Sequence, residues 1–352
     1  MEQRAAIAVV YLARHAEGLE PLRRFVASYR ACAAGVDHAL VVLYKGYLEP
    51  SQLAAAQAAF GDVPHVGLEL DDSGFDIGSY VEAARHLPHD QLCLMNTFTE
   101  IAAQGWLALL AKRAGGARVG IVGAMGSFES LYDSYRLLYK VTWLCGRADI
   151  EYDPTLHHYY RVFLEDHCPA WCARAGAAAR KASMAGLRRL VLEVRFRRYW
   201  SQLMRERAPV EKLAHYPRFP NPHIRTTGLM VRRDRLLAFE RSRIRTKDDA
   251  LDFESGPDSL TAQARRDGLA ALVVGKDDRD FDVADWPRSL TYRLGDQRNL
   301  LVTDGQSRKF AALDDGSRVT NVRITWGDYA GQPPADYPDL GLRFRRGALA
   351  AR

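Results

Sequence analysis

The chain has 352 residues, 47% hydrophobic and 26% charged, ample for a buried core in about two domains or in one α/β domain with a sizeable insertion. No apolar run reaches bilayer-spanning length, and five scattered cysteines argue against a disulfide scaffold, so a reducing cytoplasmic setting is expected. The net charge of +6 and pI near 9.0 suit anionic partners, whether nucleotide diphosphates, acidic phospholipids or nucleic acid, without choosing among them.

The apolar stretch Ala5 to Ala13 is interrupted by Arg14 and His15, which fits a first strand over Ala6 to Leu12 better than a signal peptide. Apolar spacing then predicts a helix over Leu19 to Ala33, a strand over Ala39 to Tyr44 and an alanine-rich helix over Ser51 to Phe60. A third strand, His65 to Leu70, precedes a helix over Ser79 to His86. A fourth strand, Gln91 to Met95, precedes a helix over Ala103 to Ala114, and Val119 to Val122 is a fifth strand. Strands alternating with helices imply a mostly parallel sheet, helices on both faces and a ligand crevice at the strand C-terminal ends. Residues 128 to 215 differ. They are helical, aromatic and basic, with Arg188, Arg189, Arg195, Arg197, Arg198, Arg205 and Arg207 set among apolar residues. Pro217, Pro220 and Pro222 stiffen the loop that follows, and strand and helix signals return from Thr227 to about Val274. From 275 to 345 the signals are short strand-like pieces and turns, with Asp304 beside Gly305 as a turn residue.

The order of several short motifs is more specific. Gly74-Phe75-Asp76-Ile77-Gly78 is a glycine turn after a strand. Leu92-Cys93-Leu94-Met95-Asn96-Thr97-Phe98-Thr99-Glu100 is a strand running into polar residues. Gly105-Trp106-Leu107, Val119-Gly120-Ile121-Val122-Gly123, Gly228-Leu229-Met230-Val231-Arg232-Arg233 and Phe253-Glu254 follow in turn. This series resembles the family-2-like GT-A glycosyltransferases of bacterial rhamnan, O-antigen and capsule synthesis, over about residues 5 to 125 and 225 to 275. The resemblance implies a Rossmann-like GT-A core with a helical insertion. Residues 1–127 would be the nucleotide-sugar-binding half and 128–215 the insertion. Residues 216–275 would be the acceptor-side half and 276–352 a C-terminal extension packed on the core.

The resemblance also implies roles. Glu254, or second to it Asp258, is the base that takes the acceptor proton, against the alternative that both only decorate a loop and cap the helix near Ser259. Asp72, Asp76, Asn96, Thr97 and Glu100 fall on the nucleotide-sugar side, the aspartates otherwise belonging to a solvated turn with a helix cap; Arg14, by its place at the end of the first strand, either joins them at the nucleotide or is a surface arginine. His223 and Arg225, in a proline-stiffened loop, face diphosphate or acceptor; a structural pair satisfying backbone carbonyls is the other reading. Two departures stand out. Phe98 replaces the family's metal-binding aspartate, which leaves a Mn or Mg requirement open, and Ser255 replaces the second acid of the acceptor-side motif. No covalently bound cofactor is implied.

The expected partners are a nucleotide-diphosphate sugar and a saccharide or lipid-linked acceptor. Residues 187–207 are either a peripheral contact with the inner membrane or a helix with a solvated arginine face. Nucleic-acid binding would call for a larger charge excess or a recognisable module. No Gly-x-Gly-x-x-Gly follows the first strand, which argues against a nicotinamide dehydrogenase. His157 and His158 with Cys168 and Cys172 fit no standard zinc spacing. The alternative to an enzyme is a catalytically inactive binding or scaffold protein of the same fold.

Overall fold

The computed structural model describes residues 6–131, 215–238, 244 and 246–327. The expected basic insertion, its stretch 187–207 and the far C-terminus therefore lie outside the described residues, apart from the insertion's edges.

The strands are β1 (Ile7–Arg14), β2 (Ala39–Lys45), β3 (Val66–Leu70), β4 (Gln91–Met95), β5 (Glu100–Ile101), β6 (Val119–Gly123), β7 (Gly126–Ser127), β8 (His223–Ile224), β9 (Leu229–Arg232), β10 (Ala270–Val274), β11 (Asp280–Phe281) and β12 (Val302–Thr303). The helices are α1 (Glu20–Ala31), α2 (Pro50–Ala58), α3 (Phe75–His86), α4 (Trp106–Ala114), α5 (Arg233–Ala238), α6 (Lys247–Ser255), α7 (Leu260–Arg266), α8 (Gly305–Ala311) and α9 (Asp315–Trp326). Eight strands form one sheet in the order β11-β10-β6-β9-β4-β1-β2-β3. β3, β2, β1 and β4 are mutually parallel, as are β6 and β10, while β9 runs antiparallel to both β4 and β6, and β11 antiparallel to β10. The chain is thus an α/β protein with a mostly parallel sheet flanked by helices, as its alternating pattern predicts.

Strand periodicity explains the two-sided core. Along β1, Val9, Tyr11 and Ala13 enter one apolar cluster and Ala8, Val10 and Leu12 the other. On the first face Tyr11 stacks on Phe25 of α1 with ring centroids 3.7 Å apart, and Trp106, Leu107 and Leu110 of α4 join it. On the second face lie Tyr80 of α3, Leu236 of α5 and Ala264 of α7. Trp286 and Trp326 are also fully buried, each with its indole N–H donating to a backbone carbonyl, Phe281 O and Tyr292 O, at 3.0 Å. Burying each such side chain contributes about 1.5–3 kcal/mol.

Two expectations need correcting. The helix after the glycine turn begins at Phe75, four residues early, because Gly78 is helical rather than a turn residue. A Cβ there would stand 3.2 Å from Ile244 O, so glycine marks a close approach of backbone to helix. The C-terminal part is more helical than its turn-rich composition suggests. Asp304 is not a turn residue but the N-cap of α8, in a capping box with Ser307.

Candidate functional site

Strand order reverses between β1 and β4, and in such sheets ligands sit at the strand C-terminal ends of that switch point. Because β9 is antiparallel, with Leu229 opposite Leu94 and Gly123, the segment leading into it, 225–228, reaches that same edge. Residues far apart in sequence are gathered there.

On the β1–β3 side the charged groups satisfy one another. Arg14, the last residue of β1, makes a two-pronged ion pair with Asp72 (Nε to Oδ1 2.8 Å, Nη2 to Oδ2 2.9 Å). Lys45, the last residue of β2, is 1% exposed, and its ammonium donates to Ser73 O, Phe75 O and Ser79 Oγ, which uses all three donors. Burial lowers its pKa. The amine thereby clamps the loop from Asp71 to Phe75 onto the sheet. Asp76 follows in the first turn of α3, where Oδ1 accepts from Ile77 N at 2.9 Å. Burial, then the charge of Glu254, raises its pKa.

At the end of β4, Asn96 folds its own loop. Nδ2 donates to Thr227 Oγ1, and Oδ1 accepts from Phe98 N (3.0 Å) and Thr99 Oγ1 (3.2 Å). Thr97 is buried and its carbonyl accepts from Tyr11 OH at 2.9 Å. Phe98 projects outward, 39% exposed. Glu100 turns to Arg308, Oε1 to Nη1 3.0 Å, and more distantly to Arg24 at 4.0 Å.

On the β9 side the backbone is locked and the side chains are left open. Asn221 N donates to Phe128 O, Asn221 Nδ2 to Ser255 O, Ile224 N to Thr261 Oγ1 and Arg225 N to Met125 O, all within 3.0 Å. His223 is buried, and its Nδ1–H donates to Asn221 O at 2.9 Å, which fixes the neutral tautomer with the lone pair on Nε2. Burial holds its pKa below the ordinary value, against the pull of Glu254. Glu254, in the last turn of α6, accepts through Oε1 from Thr226 N (3.1 Å) and Thr226 Oγ1 (3.4 Å). Its Oε2 makes no hydrogen bond among the described residues. The Arg225 guanidinium lies 4.5 Å above the Tyr292 ring. Its Nε is buried without an acceptor among the described residues, and Asp304 Oδ2 stands at 3.9 Å. Arg293 is 4.9 Å from the same ring and pairs with Glu129 at 3.5 Å.

Of the residues expected from sequence, Asp76, Glu254, His223 and Arg225 thus form one electrostatically connected group, with Asn96 and Thr97 beside it through Thr227. Arg14 and Asp72 lie at its far end, joined to it through Lys45. Asp258 pairs with Arg266 at 2.8 Å. Glu100 is drawn to Arg308. Sequence reading missed Lys45, Thr226, Tyr292 and the buried Asp304. The capping spacing Asp304-x-x-Ser307 is a signal that finds the last; the others depend on tertiary contacts.

A divalent cation does not fit the described residues. Hard cations take clustered oxygens. Here Phe98 offers none, the Asn96 carbonyl accepts two hydrogen bonds, and Glu100 and Asp72 are held by arginines. Among the described residues no group of three or more His, Cys, Asp or Glu is placed to hold a metal ion, and no helix is long and apolar enough to cross a membrane.

No protein-family model matches this chain, and neither does any curated protein sequence. Among solved structures, a crystal structure of GalNAc-T7 with UDP, GalNAc and Mn2+ is similar at 16% identity and a TM-score of 0.27. The match covers 35% of this chain and 23% of that one, so it reaches only part of each fold, and function has to be argued from the site itself.

Proposed function

We propose that this chain is a GT-A glycosyltransferase that moves a sugar from a nucleotide-diphosphate sugar to a saccharide or lipid-linked saccharide, in bacterial cell-surface polysaccharide synthesis. The observation that carries the reading is Glu254. It presents a carboxylate oxygen without a hydrogen-bond partner among the described residues at the strand C-terminal edge, beside the buried His223 and Arg225. The resemblance carried by the motif series from Gly74 to Glu254 supports the family and the direction of the chemistry in this reading.

In this reaction the Glu254 carboxylate takes the proton of the acceptor hydroxyl as its oxygen attacks the anomeric carbon. The bond from that carbon to the diphosphate breaks, its electron pair leaves with the diphosphate, and the anomeric configuration inverts. Thr226 holds Oε1, which leaves Oε2 for the acceptor. Asp76, Asn96 and Thr97 belong to the donor side, and His223 and Arg225 to the diphosphate and acceptor side. The expected setting is the cytoplasmic face of the inner membrane, with residues 187–207 as the membrane contact.

The test is a panel of nucleoside diphosphates and nucleotide sugars followed by thermal shift and calorimetry, then product analysis with saccharide acceptors. One base preferred over the rest, with sugar transferred, bears the reading out. Nucleotide bound without transfer or hydrolysis favours the inactive scaffold, and no ligand at all removes the transferase.

A further inference from the structure

The three acids nearest the β9 side, Glu254, Asp304 and Glu129, all act on Arg225. The guanidinium is the cation their fields share, with Asp304 Oδ2 at 3.9 Å. Their other engagements are separate: Asp304 Oδ1 caps α8 through Ser307 N at 2.7 Å, Glu129 pairs with Arg293, and Glu254 holds Thr226. Arg225 is nonetheless underused. Of Arg14, Lys45, Arg225, Arg293 and Arg308 around this edge, Arg225 alone makes no side-chain hydrogen bond among the described residues. A guanidinium has five N–H donors in a planar fork; the Nε donor is the buried one, and leaving it without an acceptor is costly, while the Nη groups face the open part of the side chain. Stacking on Tyr292 fixes the plane of the fork, while 18% of the side chain stays open. Phe98 lies close by, across the start of α8, where a Cβ on Gly305 would come within 3.9 Å of its ring.

We propose that Arg225 itself binds the donor diphosphate, and that its fixed charge does at this edge what a divalent cation does in a metal-dependent transferase. A planar fork matches two phosphate oxygens. The charge that builds on the diphosphate as its bond to the sugar breaks is met by a guanidinium already oriented on Tyr292. This rests on the transferase reading, and the experiment separates the two.

The full chain is titrated by calorimetry with inorganic pyrophosphate and with the nucleoside diphosphates, in EDTA and again in manganese. Wild type, Arg225→Ala and Arg225→Lys are compared, with circular dichroism checking each fold. A nucleoside diphosphate is expected to bind in EDTA within about threefold of its affinity in manganese. Arg225→Ala is expected to weaken it by roughly 10- to 100-fold, with Arg225→Lys between the two. If Arg225→Ala fails to fold, the lysine variant and the EDTA comparison on wild type decide. Binding seen only with manganese overturns the proposal and leaves the transferase standing. EDTA-resistant binding that both variants keep overturns it too. Arg225-dependent binding of pyrophosphate with no nucleotide preferred keeps the anion site and removes the transferase. No binding in any arm overturns both.

Discussion

The two flanks of the sheet's C-terminal edge are built from similar residues in opposite ways. On the β1–β3 flank, Arg14 and Asp72 close on each other and Lys45 fills three acceptors, so charge there holds a loop in place. On the β9 flank the backbone carries the hydrogen bonds, and Glu254 Oε2, His223 Nε2 and the Arg225 fork are left without hydrogen-bond partners among the described residues. A charged side chain at a crevice is thus no guide to function until its valences are counted. The flank with unfilled valences is the one on which the proposed chemistry rests.

The largest effect that would break this contrast is on turnover. Glu254→Gln keeps an acceptor for Thr226 but cannot take a proton, so transfer should fall about 100- to 10,000-fold with diphosphate binding unchanged. A variant that still turns over would move the base elsewhere. Lys45→Met keeps the aliphatic stem and drops the amine. It should cost about 1–3 kcal/mol in urea unfolding by leaving Ser73 O short of a donor, while Phe75 O keeps its bond from Ser79 Oγ.

His223 gives a smaller effect with a definite sign. Its folded pKa is depressed, so the unfolded chain takes up a proton near pH 6.5 that the buried ring refuses. Stability contributed by the neutral ring is present above that pH and is lost as pH falls through the window below it. His223→Gln should flatten this limb of the Tm profile. Asp76 works with the opposite sign, because its raised folded pKa makes the folded chain the better proton acceptor in the window above its ordinary value. The smallest change is expected from Arg14→Ala. Its pair with Asp72 is partly solvated, so stability should move by less than about 1 kcal/mol; a larger loss would mean that this flank too depends on a single ion pair.

How far the sequence reveals this depends on the range of the interactions involved. β1, β2 and β4 are apolar runs bounded by polar residues, and the alternation of strand and helix shows the α/β class directly. The direction of β9 is hidden, because Leu229–Arg232 is short and its partners lie more than a hundred residues upstream. Glu254 and Arg225 stand out through motif order, but nothing local says that Asp258 turns to Arg266 or that Tyr292 lies under Arg225. A lysine closing a strand suggests solvent. Lys45 is buried only because three acceptors from the next loop and helix converge on it.

Because β9 lies between β4 and β6, this sheet cannot be completed in chain order. The first four parallel strands form from near neighbours, while the inner edge of β4 waits for a strand that comes late in synthesis. Pulse-labelled hydrogen exchange during refolding should accordingly protect Val10 and Val42 before Met230. The residues with open valences ride on that late segment or beside it, so a chain that has built most of its core still lacks the proposed site, and the docking of β9 that completes the sheet also assembles those side chains.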